Sequence, residues 1–206
     1  IEVDGVQYLS LMSVKSWDTV GQWTTNFSGL AASADNGETW ADLAHTRRPN
    51  EGGHANFQMN AFLKDGDYVY EYGTRSGRNN PAYISRVRGR DIQNLDAYEY
   101  WDGKGWRRGD IDAAAPIMHG VAELSVMYNE YLGRFVSLTT DPWNSVVMRT
   151  APAPEGPWSP PRVLIDTREL PTAYAPSIFP YQTGSDLYFL TTVHSQYNVI
   201  LMRTRL

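Results

Sequence analysis

Glu123 is the residue whose surroundings best suit acid–base chemistry. It lies in Gly120-Val121-Ala122-Glu123-Leu124-Ser125-Val126, where apolar neighbours would desolvate its carboxyl group. Desolvation disfavours the charged form and raises a carboxyl pKa, as a general acid requires. The competing reading is a buried glutamate held by backbone amides or an arginine. Other residues, expected near the mouth of a ligand channel, are of types that suit sugar binding. Gln58 and Asn60 share a strand face by period-two alternation. His54 lies in the glycine-rich loop Glu51-Gly52-Gly53-His54-Ala55-Asn56, and His119 immediately precedes the Glu123 segment. Tyr174 belongs to Ala173-Tyr174-Ala175-Pro176-Ser177-Ile178. Trp17 and Trp23 flank a loop, where exposed indoles could stack on sugar rings or pack into the core. Arg75 follows a strand and is expected to pair with Glu123 or with a substrate oxygen. His45 and His194 read as ordinary surface or strand histidines, and Asp141 as the cap of a turn before Pro142.

The elements that must position these residues are strands. Ser33-Ala34-Asp35-Asn36-Gly37-Glu38-Thr39-Trp40 fits the Asp-box pattern Ser-x-Asp-x-Gly-x-Thr-Trp, a tight turn between outer strands of a β-propeller blade. Asp35 can bond amides of its own turn, Gly37 can take a positive φ, and Trp40 is expected to bury its ring beneath the hairpin. A degenerate repeat supports the same architecture. Hairpin signals recur at Asp4-Gly5, Asp65-Gly66, Leu132-Gly133 and Thr183-Gly184, with glycines 61, 67 and 51 residues apart. A third strand follows each, at residues 29–32, 82–87, 146–149 and 199–203. Three units then reach a tryptophan, at Trp40, Trp101 and Trp158. Inner strands, which line a propeller's ligand channel, are expected at residues 57–62, 120–126 and 173–178. Glu123 is the one carboxylate within them.

Composition agrees with an all-β reading. The 206 residues include 13 tyrosines, 7 tryptophans and 12 prolines, and only residues 90–96 suggest a short helical turn. No run approaches the ~18 apolar residues of a membrane span. A net charge of −5 argues against a nucleic-acid footprint. With no cysteine there is no disulfide, and no His-x-x-x-His spacing suggests zinc. No cofactor is expected, although an axial calcium or halide ion is compatible with the fold. The expectation is a single domain over residues 1–206, with approximate blades at 1–56, 57–118, 119–172 and 173–206. The first hairpin has no inner strand before it and the last unit has no outer strand after it. A five-bladed propeller lacking its N-terminal part, with about four blades present, is therefore expected.

Residues 12–17, Trp23-Thr24-Thr25-Asn26-Phe27-Ser28-Gly29-Leu30-Ala31, Ser125-Val126-Met127-Tyr128-Asn129 with Leu132-Gly133-Arg134-Phe135, and Tyr174-Ala175-Pro176-Ser177 carry a resemblance. Together they resemble an actinobacterial family of five-bladed propellers, long catalogued as a domain of unknown function, that includes endo-D-arabinanases of mycobacterial cell-wall arabinan. Pro154-Glu155-Gly156-Pro157-Trp158 is also similar to a turn of arabinanase and xylosidase propellers. The resemblance implies a secreted or cell-wall-associated glycoside hydrolase acting on D-arabinofuranosyl linkages of a polysaccharide, as a monomer, with two carboxyl groups. It places the family's catalytic aspartates upstream of this chain, so no residue here inherits those roles. Two other functions compete. One is a carbohydrate-binding propeller without catalysis. The other is a sialidase-like enzyme, which the absence of arginine from the inner strands disfavours.

Overall fold

The computed structural model describes all residues from Ile1 to Leu206. The chain is all-β, and its only helical segments are three single 3₁₀ turns. Four antiparallel sheets follow one another in the blade-by-blade order of a β-propeller. They fall into two compact units, the first holding Ile1–Gly77 with Pro81–Pro116, the second Arg78–Asn80 with Ile117–Leu206.

The first unit contains two sheets. One runs β1 (Glu2–Val3), β2 (Val6–Trp17), β3 (Trp23–Ser33), β4 (Ala41–Pro49). The other runs β5 (Met59–Asp65), β6 (Tyr68–Thr74), β7 (Asn80–Arg88), β8 (Glu99–Trp101), β9 (Trp106–Arg108). The hairpins turn where glycine supplies a positive φ, as at Gly5 and Gly66. The core packs Val3, Tyr8, Leu30, Phe57, Val69, Tyr83, Val87, Tyr98 and Tyr100 together. Gly73 is obligatory here: a Cβ would lie 2.3 Å from the Phe57 ring and 2.7 Å from Asn60 Oδ1. Within this core Arg48 donates to Glu71 at 3.0 Å, and Ser85 Oγ donates to the other carboxylate oxygen at 2.9 Å. The Arg48 guanidinium also lies 4.9 Å from the Tyr98 ring centroid. Burial pushes the Tyr98 phenol up, and the charge of Glu71 adds to that shift.

The second unit begins with β10 (Met118–Val121). One sheet follows, β11 (Ser125–Asn129), β12 (Arg134–Thr140), β13 (Val146–Ala151), β14 (Arg162–Ile165). A second contains β15 (Ala173–Ile178), β16 (Asp186–Val193) and β17 (Asn198–Arg205). One face of β12 and β13 presents Val136, Leu138, Val146 and Met148 to Ile178, Leu187 and Phe189. The other face carries Ser137, Thr139 and Arg149.

Three local expectations change. The strand expected at 57–62 starts at Met59, because Phe57 takes a φ of +60° and breaks the extended path. The one expected at 120–126 divides into β10 and β11. Residues 122–124 leave the ladders between them, with the Ala122 amide bonded to Thr139 Oγ1 at 3.0 Å. The turn at 90–96 is two 3₁₀ turns, Gly89–Asp91 and Leu95–Ala97.

The Asp box forms as its spacing predicts, except for its tryptophan. Ser33 Oγ donates to Asp35, the Gly37 amide donates to Ser33 Oγ, and the Thr39 amide and hydroxyl donate to the two Asp35 oxygens. Trp40 is not buried: its side chain is exposed at 43%, and Nε1 bonds back to the Gly37 carbonyl at 3.1 Å. Its ring clasps the turn itself. The Thr39 hydroxyl and amide, with Ser33, hold the Asp35 carboxyl down at about 2. A depressed carboxyl pKa gives stability that is present above the unfolded value near 4 and is lost as pH falls through the folded value. Unfolding free energy should therefore decline between about pH 4 and pH 2, and Asp35→Asn should flatten that decline in denaturant melts.

Candidate functional site

The second unit gathers one charged and aromatic cluster. The Arg78 side chain binds Glu123 in a fork, Nε to Oε1 at 3.1 Å and Nη2 to Oε2 at 2.8 Å. Its remaining terminus, Nη1, donates to Asn144 Oδ1 at 3.1 Å. The guanidinium also lies 5.5 Å from the centroid of Tyr174. The pair is open enough to meet a ligand, with side-chain exposures of 15% for Arg78 and 27% for Glu123.

Each member is placed by a local device. Glu123 sits where the chain leaves the ladders between β10 and β11. Asn144 occupies a left-handed position, φ 64°, that asparagine tolerates well. Its turn is closed by Asp141, whose Oδ1 accepts from the Trp143 and Ser145 amides at 2.9 and 2.8 Å. Asp141 thus caps a turn, and Trp143 stands exposed beside Asn144. Tyr174 lies on β15 just before the register shift at Tyr174/Ser177. Beyond it the rings of His194 and Tyr197 continue a row, with centroid spacings of 5.9 and 5.3 Å. His194, read from sequence as ordinary, therefore belongs to the surroundings of this site.

A carboxylate held by both oxygens against a guanidinium is a fixed acceptor. The environment of Glu123 is accordingly an arginine fork rather than the apolar pocket expected from its sequence neighbours. To give a proton to a leaving group, it must first release one oxygen from Arg78. Arg75, expected to pair with Glu123 or with a substrate oxygen, does not meet Glu123 and donates to Asn56 Oδ1 at 3.1 Å in the first unit. Sequence does not single out Arg78 as the partner, because it lies three residues from Arg75 and only the tertiary geometry separates the two.

The other candidates are placed as follows. His119 is exposed, and its carbonyl accepts from Arg149 at 3.1 Å. In the first unit Gln58 is 1% exposed, with Oε1 accepting from Thr25 and Nε2 donating to the Arg48 carbonyl. Asn60 donates to Ser10 Oγ and the Phe57 carbonyl. His54 is exposed on its loop. Trp17 is 72% exposed at the tip of the β2–β3 hairpin, its ring 5.9 Å from the buried Trp23. No group of three or more histidine, cysteine or acidic side chains is placed to hold a metal ion.

Residues 1–203 match the family described as a domain of unknown function, DUF4185, and the chain belongs to that family. Notoamide biosynthesis cluster protein J of Aspergillus sp. (strain MF297-2) is 29% identical over 195 residues, covering 91% of this chain and 52% of that protein. Protein J' of Aspergillus versicolor is 28% identical, covering 91% and 53%. The chain thus spans about half the length of the curated relatives it matches. Among solved structures it is similar to a xylan β-1,4-xylosidase from Bacillus halodurans C-125, TM-score 0.64 at 11% identity, covering 98% of this chain and 38% of that one. An α-L-arabinofuranosidase from Clostridium thermocellum gives 0.59 at 12% identity, covering 99% and 66%. An exo-β-1,3-galactanase from Phanerochaete chrysosporium gives 0.62 at 14% identity, covering 97% and 43%. At these identities the likeness is one of fold.

The fork itself is testable. A double-mutant cycle of Arg78→Ala and Glu123→Ala in denaturant melts should return a coupling of about 1–3 kcal/mol, as for hydrogen bonds between charged groups. A coupling near zero would mean that the two side chains are solvated separately.

Proposed function

We propose that this protein is a glycoside hydrolase acting on cell-wall arabinan through D-arabinofuranosyl linkages, secreted or held at the cell wall. The observation that carries the reading is the Glu123 carboxylate, partly exposed and oriented by Arg78, with Asn144 and Tyr174 on the same guanidinium. An oriented carboxyl group beside an amide and an aromatic ring suits one of the two carboxyl roles that hydrolysis of a sugar acetal requires. Glu123 acts as the acid after one of its oxygens leaves Arg78 and takes a proton from solvent, and that proton then passes to the departing sugar oxygen. The second carboxyl group is supplied by residues outside the cluster. Enzymes similar in fold support the hydrolase class, and the sequence resemblance to D-arabinanases supports the sugar.

A second reading, a carbohydrate-binding propeller without catalysis, is favoured by one observation: both Glu123 oxygens are already engaged. Digestion of mycobacterial arabinogalactan by the complete protein separates the two, with plant L-arabinan and sialyl-lactose as controls. Release of D-arabino-oligosaccharides alone is expected, and Glu123→Gln should lower the rate by about 10²–10⁴-fold while binding persists. Full activity in that variant would remove Glu123 from the mechanism. Binding without release by the wild type would establish the second reading.

A further inference from the structure

Two arginines of this chain are buried, Arg48 and Arg149, each with one terminal nitrogen lacking a hydrogen-bond partner, but only Arg48 faces a carboxylate. Arg48 faces the Glu71 carboxylate at 3.0 Å. Arg149, 8% exposed, has no carboxylate within 4.0 Å. Its Nη2 donates to the His119 carbonyl, but its Nη1 is buried without a hydrogen-bond partner. Burial disfavours the charged guanidinium, and the nearby charge of Asp141 opposes this in part. Asp141 caps the Trp143 and Ser145 amides with its Oδ1 and acts on Arg149 only from beyond salt-bridge distance. A buried cation without a direct ion-pair partner is among the costlier things a fold can contain.

A second donor lies against it. Ser137 on β12 is the register partner of Arg149 on β13, so the two side chains leave the sheet side by side. Ser137 is fully buried, yet its hydroxyl donates to the Met118 sulfur at 3.7 Å. A thioether is a weak acceptor, and a hydroxyl gives it up readily for a better one. The same sheet face is overlain by residues 118–122, tied down by the contacts of Met118 and His119 and by the Ala122 amide on Thr139 Oγ1. Sheet and segment therefore hold together a guanidinium without an ion-pair partner and two donors that lack a strong acceptor.

We infer that Arg149 and Ser137 form a binding site for a small monovalent anion of chloride size. The anion accepts from Arg149 Nη1 and from the Ser137 hydroxyl once it has turned away from Met118. It neutralises the buried guanidinium and braces the segment that leads directly into Glu123. The site is independent of whether the protein cleaves a glycan.

The test is denaturant unfolding of the full protein in mixtures of sodium chloride and sodium gluconate at constant ionic strength. Above the dissociation constant, each tenfold rise in chloride should raise the folding equilibrium constant about tenfold. Arg149→Met, which keeps the length of the stem, should abolish that dependence, and Ser137→Ala should weaken it. Crystals soaked in bromide should show anomalous density beside Arg149 Nη1, a readout that needs no variant to fold. A folding constant indifferent to chloride, a dependence that survives in Arg149→Met, or a bromide map empty at Nη1 would each overturn the site.

Discussion

Two of the central strands of these sheets, β6 and β12, are buried on both faces, and the rest of the molecule answers to that constraint. They are covered along almost their whole length, so their polar atoms look inward for partners, and the Thr140 hydroxyl at the end of β12 is left without one. Glu71 finds its partners in Arg48 and Ser85. Thr25, Asn50 and Gln58 find theirs in one another. Side chains committed in this way have little left to offer a ligand. Chemistry is therefore displaced to the places where the chain leaves the ladders. Arg78 comes from the β6–β7 loop, Glu123 from the break between β10 and β11, and Asn144 from the β12–β13 turn. Rigid strands fix their ends, and the loops carry the groups.

How far the sequence revealed this follows from the range of each interaction. The Asp box and the hairpins were legible because they close within a few residues and depend on Gly37, Gly5, Gly66, Gly133 and Gly184 at positive φ. Strand identity was legible for the same local reason. The place of the Trp40 ring is not legible locally, because ring burial is decided by what lies beyond the turn, and here the ring clasps Gly37. Gln58 and Asn60 were paired by alternation, but the positive φ at Phe57 places Gln58 ahead of the strand. Glu123 was found by its residue type and setting. Its partner was not, since Arg75 and Arg78 look alike in sequence and only tertiary geometry separates them.

The fork gives the site a particular chemical character. Arg78 spends its charge on Glu123 and a further donor on Asn144, which leaves a neutral, oriented cluster with aromatic rings beside it. A neutral cluster suits a neutral sugar better than an acidic one, because no unpaired guanidinium is offered to a substrate carboxylate. The row from Tyr174 through His194 to Tyr197 extends the apolar surface outward from the pair. Such rings contribute contact area at low entropic cost, with polar edges for hydroxyl groups.

The most direct test of the site is an NMR titration of the complete, isotope-labelled protein with D-arabino-oligosaccharides. The account predicts shifts concentrated at the Arg78 Nε–H, the Asn144 side-chain amide and the backbone amides of Glu123 and Tyr174. Shifts confined to Trp17, Trp23, His54 and Asn60, with the Arg78 and Glu123 signals unmoved, would contradict it.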